Sequence, residues 1–168
     1  MLSGILNKED CANCRFCCSF RRVSLWELPK LPESFLEKYG SNLRGEKVNY
    51  IINRTDDERW AVTDLTGSYR TDDPDEEAPC PFLDPEKGCT LPPEDKPFEC
   101  SAWPLRYMKM PDGTRKVCLT PTCPSMNRID TDILKEAVRT KWGRIIRDQA
   151  QKTPYIVQDY KDGYIVLE

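Results

Sequence analysis

The chain has 168 residues, enough for one domain with its own hydrophobic core. Its net charge is −3 and it has no lysine- or arginine-rich run, which argues against a nucleic-acid partner. No segment approaches the ~18 consecutive apolar residues of a membrane-spanning helix. Since Met1–Asp10 has neither a basic start nor an apolar stretch, we expect a cytosolic protein without a membrane partner.

The first part of the chain is predicted to form short elements, because prolines and glycines interrupt it often. These elements are a strand at 21–23, a helical turn begun by a Ser24-x-x-Glu27 capping box, a helix over 33–39 that ends at Gly40, and strands at 48–52 and 60–62. Residues 71–97 are rich in Pro, Asp and Glu and are predicted to be loop. Within them, the acidic run 72–77 is expected to be extended and solvated.

Two hairpins are predicted in the second part of the chain. Strands at 107–110 and 115–119 flank Pro111-Asp112-Gly113, and Asp-Gly readily takes the positive φ of a tight turn. Strands at 155–160 and 164–167 are predicted to be joined in the same way through Lys161-Asp162-Gly163.

A long helix is predicted between these hairpins, over Thr131–Lys152, with Asp130 or Thr131 as its N-cap. Apolar residues recur along it at three- and four-residue steps, which is typical of a core-facing stripe: Ile133, Leu134, Ala137, Val138, Trp142, Ile145, Ile146 and Ala150. The sequence therefore predicts a small, irregular α+β fold over residues 1–168, with short hairpins and one long C-terminal helix.

Nine cysteines and no histidine are the chemically informative feature of the chain. Four cysteines form Cys11-x-x-Cys14-x-x-Cys17-Cys18, and five follow at Cys80, Cys89, Cys100, Cys118 and Cys123. A disulfide framework is disfavoured in the cytosol, and an odd count would leave one thiol unpaired. Metal binding is therefore the favoured explanation, and we expect the fold to be organised around a cysteine-ligated centre.

The spacing of the first cluster suits zinc and iron–sulfur centres alike, because each Cys-x-x-Cys step lets two thiolates reach one metal from a tight turn. Adjacent side chains in an extended chain point to opposite sides, so Cys17 and Cys18 either serve two centres or one of them is a buried thiol. The central cysteines lie near Phe82, Phe98 and Trp103, which are expected to pack in the core and could screen a metal site from water.

The absence of histidine excludes the zinc and Rieske sites that use imidazole, and it removes the usual base of a Cys–His nucleophile pair. No Gly-x-Gly occurs, which argues against dinucleotide-binding fingerprints. Glu99, Tyr107 and Asp112 lie near cysteine segments, but nothing marks them as a general base, and we expect them at the surface.

In their order along the chain, four motifs resemble the CxxCxxCC proteins, also described as YkgJ-type cysteine-cluster or putative zinc- or iron-chelating domains. They are the N-terminal cluster, Cys80-Pro81-Phe82-Leu83, Gly88-Cys89, and Lys96-Pro97-x-x-Cys100 with Trp103-Pro104. The resemblance runs from Cys11 to Cys123, about two thirds of the chain. It implies a metal site built from Cys11, Cys14, Cys17, Cys18, Cys80, Cys89, Cys100 and Cys123, with Cys118 as the surplus cysteine.

Three functions remain open from the sequence. The first is a protein that binds zinc or an iron–sulfur centre, with a redox or accessory role close to that of the Fe–S oxidoreductases named in this family. The second is an enzyme that modifies protein side chains, by analogy with flagellin lysine N-methylase, which carries a similar cysteine domain. The third is a module that is stabilised by metal and binds a protein partner. A free sheet edge at 164–167 would indicate this function.

Overall fold

The computed structural model describes residues 14–124 and 126–168, and it contains both helices and strands. Contacts between backbone positions divide these residues into two compact units. The N-terminal unit comprises residues 14–100, and the C-terminal unit comprises residues 101–124 and 126–168. The assignment of both units to one domain over 1–168 stays a prediction.

The N-terminal unit is built from three short antiparallel pairs of strands and one helix. Strand β1 (Ser19–Arg21) pairs with β4 (Glu77–Pro79), β2 (Tyr50–Arg54) with β3 (Arg59–Thr63), and β5 (Leu83–Asp84) with β6 (Gly88–Cys89). Helix α1 spans Glu33–Lys38, and 3₁₀ turns cover Phe16–Cys18, Arg22–Glu27, Thr66–Ser68 and Pro93–Asp95. A short helix, α2 (Phe98–Ala102), crosses the boundary between the units.

Two hydrophobic clusters form the core of the N-terminal unit. The first consists of Leu31, Phe35, Val48, Phe82 and Leu91, and the second of Phe20, Leu28, Leu65 and Ala78. In the first cluster the Phe82 ring meets the rings of Phe35 and Tyr39 edge-on, each with 5.7 Å between centroids. Cys80 is partly buried and packs against both clusters, so its position is fixed by the core.

Several local predictions for this unit are corrected by the structure. The strand predicted at 21–23 lies at Ser19–Arg21, and a 3₁₀ segment takes the chain from Arg22 to Glu27. The Ser24 hydroxyl donates to the Arg21 carbonyl, so the predicted capping box does not form. The helix predicted over 33–39 is confirmed at Glu33–Lys38, but a positive φ, the mark of a glycine C-cap, is absent at Gly40.

Residues 71–97 are not all loop, because three short strands, β4 to β6, lie within them. Most of the acidic run is exposed as predicted, but Glu76 anchors it. The Glu76 carboxylate accepts hydrogen bonds from the Arg70 and Thr71 amides at 2.7 and 2.8 Å and pairs with Arg22. Those amides, with Arg22, lower the pKa of Glu76, so its charge holds the loop in place at neutral pH.

The C-terminal unit contains a four-stranded sheet in the order β10-β8-β7-β9. Strands β7 (Leu105–Lys109) and β8 (Arg115–Leu119) form the predicted hairpin, and Gly113 takes a φ of 83° in its turn. The C-terminal strands differ from the prediction. Strand β9 (Gln158–Asp159) runs parallel to β7 and β10 (Ile165–Val166) antiparallel to β8, so they lie at opposite edges instead of pairing with each other.

The predicted long helix is present, with an irregular middle. It consists of α3 (Thr131–Ala137), a π-helical segment (Val138–Trp142) and α4 (Gly143–Lys152). The Asp130 carboxylate accepts from the Asp132 amide as the N-cap, and the Gly143 amide donates to the Val138 carbonyl, five residues back. The apolar stripe faces the core at Leu134, Val138, Trp142, Ile146 and Ala150, whereas Ile133 is exposed.

No helix in the described part of the chain has both the length and the apolar character needed to cross a membrane. Strand β10 is an edge strand whose Ile165 and Val166 are partly exposed. Only two of its residues pair with β8, and short edge strands are a common protection against unwanted strand pairing.

Candidate metal centre

Two cysteine segments that are distant in sequence lie side by side in the N-terminal unit. The Cys80 amide donates to the Cys18 carbonyl at 2.7 Å, directly beside the pairing of Ser19 with Pro79 in the β1–β4 ladder. The ladder therefore joins the segment 14–18 to the segment 80–89. The N-terminal and central cysteines could share a site only if folding brought them together, and the structure brings these two segments together.

The first segment is a tight turn instead of the extended chain that was considered for Cys17 and Cys18. Arg15 has a left-handed backbone (φ 49°, ψ 7°), and the Cys18 amide donates to the Arg15 carbonyl at 2.9 Å. Phe16–Cys18 then forms a 3₁₀ turn. Successive side chains on such a turn are about 120° apart, because the turn has three residues, so Cys17 and Cys18 need not face opposite sides.

The second segment is a small hairpin with a fixed tip. The Leu83 amide donates to the Cys80 carbonyl at 2.9 Å, and Cys89 lies opposite Leu83 in the β5–β6 pair. The Asp84 carboxylate accepts from the amides of Glu86 and Lys87, both at 2.8 Å. These two amides lower the pKa of Asp84, which keeps it charged and able to hold the tip.

The buried Cys80 thiol is influenced by cysteines of both segments. Burial raises the pKa of Cys80 to about 12; the Phe82 amide opposes this increase, and negative charge on Cys89 and Cys17 adds to it. Burial, with a smaller contribution from Cys80, also raises the pKa of Tyr50 to about 12. Deprotonation of several thiols in one partly buried place is therefore unfavourable without a nearby cation. A metal ion would make it favourable, because the thiols that bind a metal lose their protons.

The other cysteines of the N-terminal unit differ in exposure. Cys14, Cys89 and Cys100 are exposed, and Cys17 and Cys18 are half-buried. Cys100 lies on helix α2. Cys11, the first member of the predicted set, lies outside the described residues.

Across residues 14–124 and 126–168, no three Cys, Asp or Glu side chains converge closely enough to hold a metal ion. The donor chemistry of the two segments nevertheless suits zinc and iron–sulfur centres, because both prefer thiolate. The Cys80 thiol lies close enough to Cys17 and to Cys89 for each of them to raise its pKa. Ligation would therefore require side chains of the two segments to turn towards a common point.

Two further cysteines, Cys118 and Cys123, belong to the C-terminal unit and are buried there. Cys118 is fully buried on β8, where its thiol lies 3.9 Å from the Lys116 carbonyl. Burial raises its pKa to about 11. This is the environment of a strand thiol in an apolar core, and the assignment of Cys118 as the surplus cysteine stays a prediction.

If the eight predicted cysteines bind metal, we expect Cys118→Ala to keep that metal, whereas Cys123→Ala should lose part of it. The cost at Cys118 should be lost packing, on the order of 1 kcal/mol of unfolding free energy. Metal analysis and urea unfolding of both variants would check this. Equal metal loss in the two would show that the surplus cysteine is wrongly assigned.

Glu99 is buried, contrary to the surface position expected for it. Its carboxylate accepts from the Lys30 amide at 2.6 Å. Asp112 is exposed in the β7–β8 turn, as expected, and Tyr107 is half-buried. No described contact gives any of these three the position of a general base at the cysteine segments.

Of the three aromatic residues expected in the core, Phe82 is buried, at 4% exposure. Phe98 and Trp103 are half-buried, and the Arg106 guanidinium lies over the Trp103 ring at 4.8 Å. The core position expected for the three is confirmed for Phe82 alone. Cys80 packs against the hydrophobic cluster that contains Phe82.

Sequence reasoning missed a cleft of about 640 Å³ beside Cys80. Three loops, at 42–49, 64–68 and 79–85, form its walls, and Pro79, Cys80 and Pro81 are part of its lining. No local sequence signal marks it, because the loops are brought together only by the tertiary fold. A small molecule or a partner's side chain could reach the region of Cys80 through this cleft.

Comparison with known proteins gives no relative from which a function could be transferred, since no family model, curated protein or solved structure matches the chain.

Proposed function

We propose that this chain is a metal-binding protein that holds zinc or an iron–sulfur centre through cysteine thiolates. The observation that supports this proposal most directly is the hydrogen bond from the Cys80 amide to the Cys18 carbonyl, which fixes two cysteine-rich segments side by side. Cys14, Cys17 and Cys18 would come from the first segment, and Cys80 and Cys89 from the second. Cys11, Cys100 and Cys123 complete the proposed set, in keeping with the resemblance to the CxxCxxCC proteins.

The protein's own contribution is to place and shield the thiols. Cys80 is held between two hydrophobic clusters, and the Phe82 ring excludes water from the core beside it. The Asp84 carboxylate fixes the tip of the hairpin that ends at Cys89. A site that is shielded on one side and reached from solvent on the other fits a centre that meets a partner or a small molecule.

The two metals lead to different roles. Zinc with four thiolates has no open coordination position, so a zinc site here would stabilise the fold and serve an accessory role. An iron–sulfur centre would supply electron transfer, with its potential set by hydrogen bonds and solvent exposure. The cleft beside Cys80 supports a role in which that centre is approached, which is the redox form of the proposal.

The proposal predicts that Cys14→Ser and Cys17→Ser lower both the metal content and the thermal stability. Metal-binding energy at such a site is partly folding energy, because the site does not exist in the unfolded chain. Metal analysis and thermal unfolding, with and without chelator, would test this, and Cys118→Ala is the matched control. Unchanged metal stoichiometry and melting temperature in both serine variants would contradict the proposal.

A further inference from the structure

Arg15 has an unusual backbone for its residue type. It lies between Cys14 and Cys17, and it is the only non-glycine residue with positive φ in the described part of the chain. A left-handed backbone is unfavourable for a residue with a Cβ, so neighbouring contacts must hold it there. Glycine would take this conformation without strain, yet the position carries the long side chain of arginine.

The Arg15 side chain reaches the other cysteine segment. One guanidinium nitrogen donates to the Pro85 carbonyl, 70 residues along the chain, and the other terminal nitrogen donates to the Glu86 carbonyl at 3.4 Å. Both carbonyls lie at the tip of the β5–β6 hairpin, between Cys80 and Cys89. The Glu86 and Lys87 amides of that tip donate to the Asp84 carboxylate, so Asp84 and Arg15 hold the tip together.

We propose that Arg15 is a positioning residue, a clamp that holds the segment 14–18 at a fixed distance from the segment 80–89 and thereby raises metal affinity. Its effect on affinity rests on the proposed function. A site assembled from two segments binds more tightly when the segments are already ordered, because less conformational entropy is lost on binding. The planar guanidinium suits two neighbouring carbonyls, whereas a lysine ammonium is a single compact charge on a flexible stem.

The decisive variant is Arg15→Gly, because it removes the guanidinium and relieves the left-handed backbone at the same time. Relief of the left-handed backbone alone would leave the stability of this variant unchanged or improved. The clamp predicts instead that zinc binding to the metal-free, reduced chain weakens about tenfold, the scale of one charge-assisted hydrogen bond. Arg15→Lys should fall between Arg15→Gly and the wild type.

Zinc affinity would be measured by chelator competition on the full chain, with Arg59→Ala as the matched control. Arg59 lies in the same unit and pairs with Glu33 at 3.0 Å, and both of these side chains are exposed. Unchanged affinity in Arg15→Gly, or an equal loss in Arg59→Ala, would overturn the clamp.

A metal-free readout separates the clamp from the proposed function. In the metal-free chain, Arg15→Gly should speed hydrogen exchange at the Glu86 and Lys87 amides of the hairpin tip, and Arg59→Ala should not. A wild type that binds no zinc would contradict the zinc form of the proposed function and the effect of Arg15 on zinc affinity, while faster exchange would still support Arg15 as the contact that holds the two segments together. Unchanged exchange would overturn the clamp even if the wild type binds zinc.

Discussion

Replacing Cys80 with serine is expected to remove most of the bound metal and to destabilise the N-terminal unit. Cys80 is the cysteine that packs against both hydrophobic clusters, and its amide bond to Cys18 joins the two segments. Loss of a ligand should weaken metal binding by more than the roughly 10- to 100-fold typical of outer-shell partners. A serine hydroxyl placed against the clusters without a partner should cost about 1–3 kcal/mol more.

The matched variant is Cys80→Ala, which also removes the thiol but adds no polar group. Both variants should lose metal to the same extent, while urea unfolding of the metal-free proteins should show a larger loss of stability for serine. If Cys80→Ala retained full metal content and the wild-type affinity, Cys80 would be a core residue and not a ligand.

The largest effect on stability is expected from Phe82→Ala. The Phe82 side chain is 4% exposed and contacts the rings of Phe35 and Tyr39 edge-on. Truncation of such a side chain should lower the unfolding free energy by about 3–5 kcal/mol, since it removes buried apolar surface and leaves a cavity. Metal affinity should fall as well, because Phe82 supports the backbone between Cys80 and β5.

Denaturant unfolding of the metal-free proteins measures this, with Ile51→Ala as the control. Ile51 is 44% exposed on β2, and its truncation should change the unfolding free energy by no more than about 0.5 kcal/mol. Phe82→Leu should be intermediate, because it keeps most of the apolar volume. A Phe82→Ala variant as stable as Ile51→Ala would show that the aromatic cluster does not hold this unit together.

The sequence predicted those elements that local chemistry determines. The Asp112-Gly113 turn predicts a hairpin, and the three- and four-residue periodicity of 131–152 predicts a long helix. Both the hairpin and the long helix are present. Lys161-Asp162-Gly163 has the same turn chemistry, and Gly163 does take a φ of 93°. Its flanking strands pair with β8 and β7 instead, because tertiary contacts and not the turn decide which strands meet.

The candidate site was predictable to a similar extent. Cysteine spacing indicated two segments that folding could bring together, and the structure places Cys18 beside Cys80. The contribution of Arg15 was not predictable, because arginine has no preference for a left-handed backbone and its partners lie 70 residues away. The burial of Glu99 was missed for the same reason, since its partner, the Lys30 amide, is distant in sequence.

The most direct test of metal binding is elemental analysis with a visible spectrum, on protein purified without oxygen. The proposal predicts bound metal that is lost in Cys80→Ala. Iron with sulfide and a broad absorption band near ~400 nm would identify an iron–sulfur centre and favour redox chemistry. Colourless protein with about two zinc ions per chain would identify structural sites in which thiolates fill every coordination position. Metal-free protein in which the exposed thiols of Cys14, Cys89 and Cys100 react readily, and whose stability a chelator leaves unchanged, would contradict it.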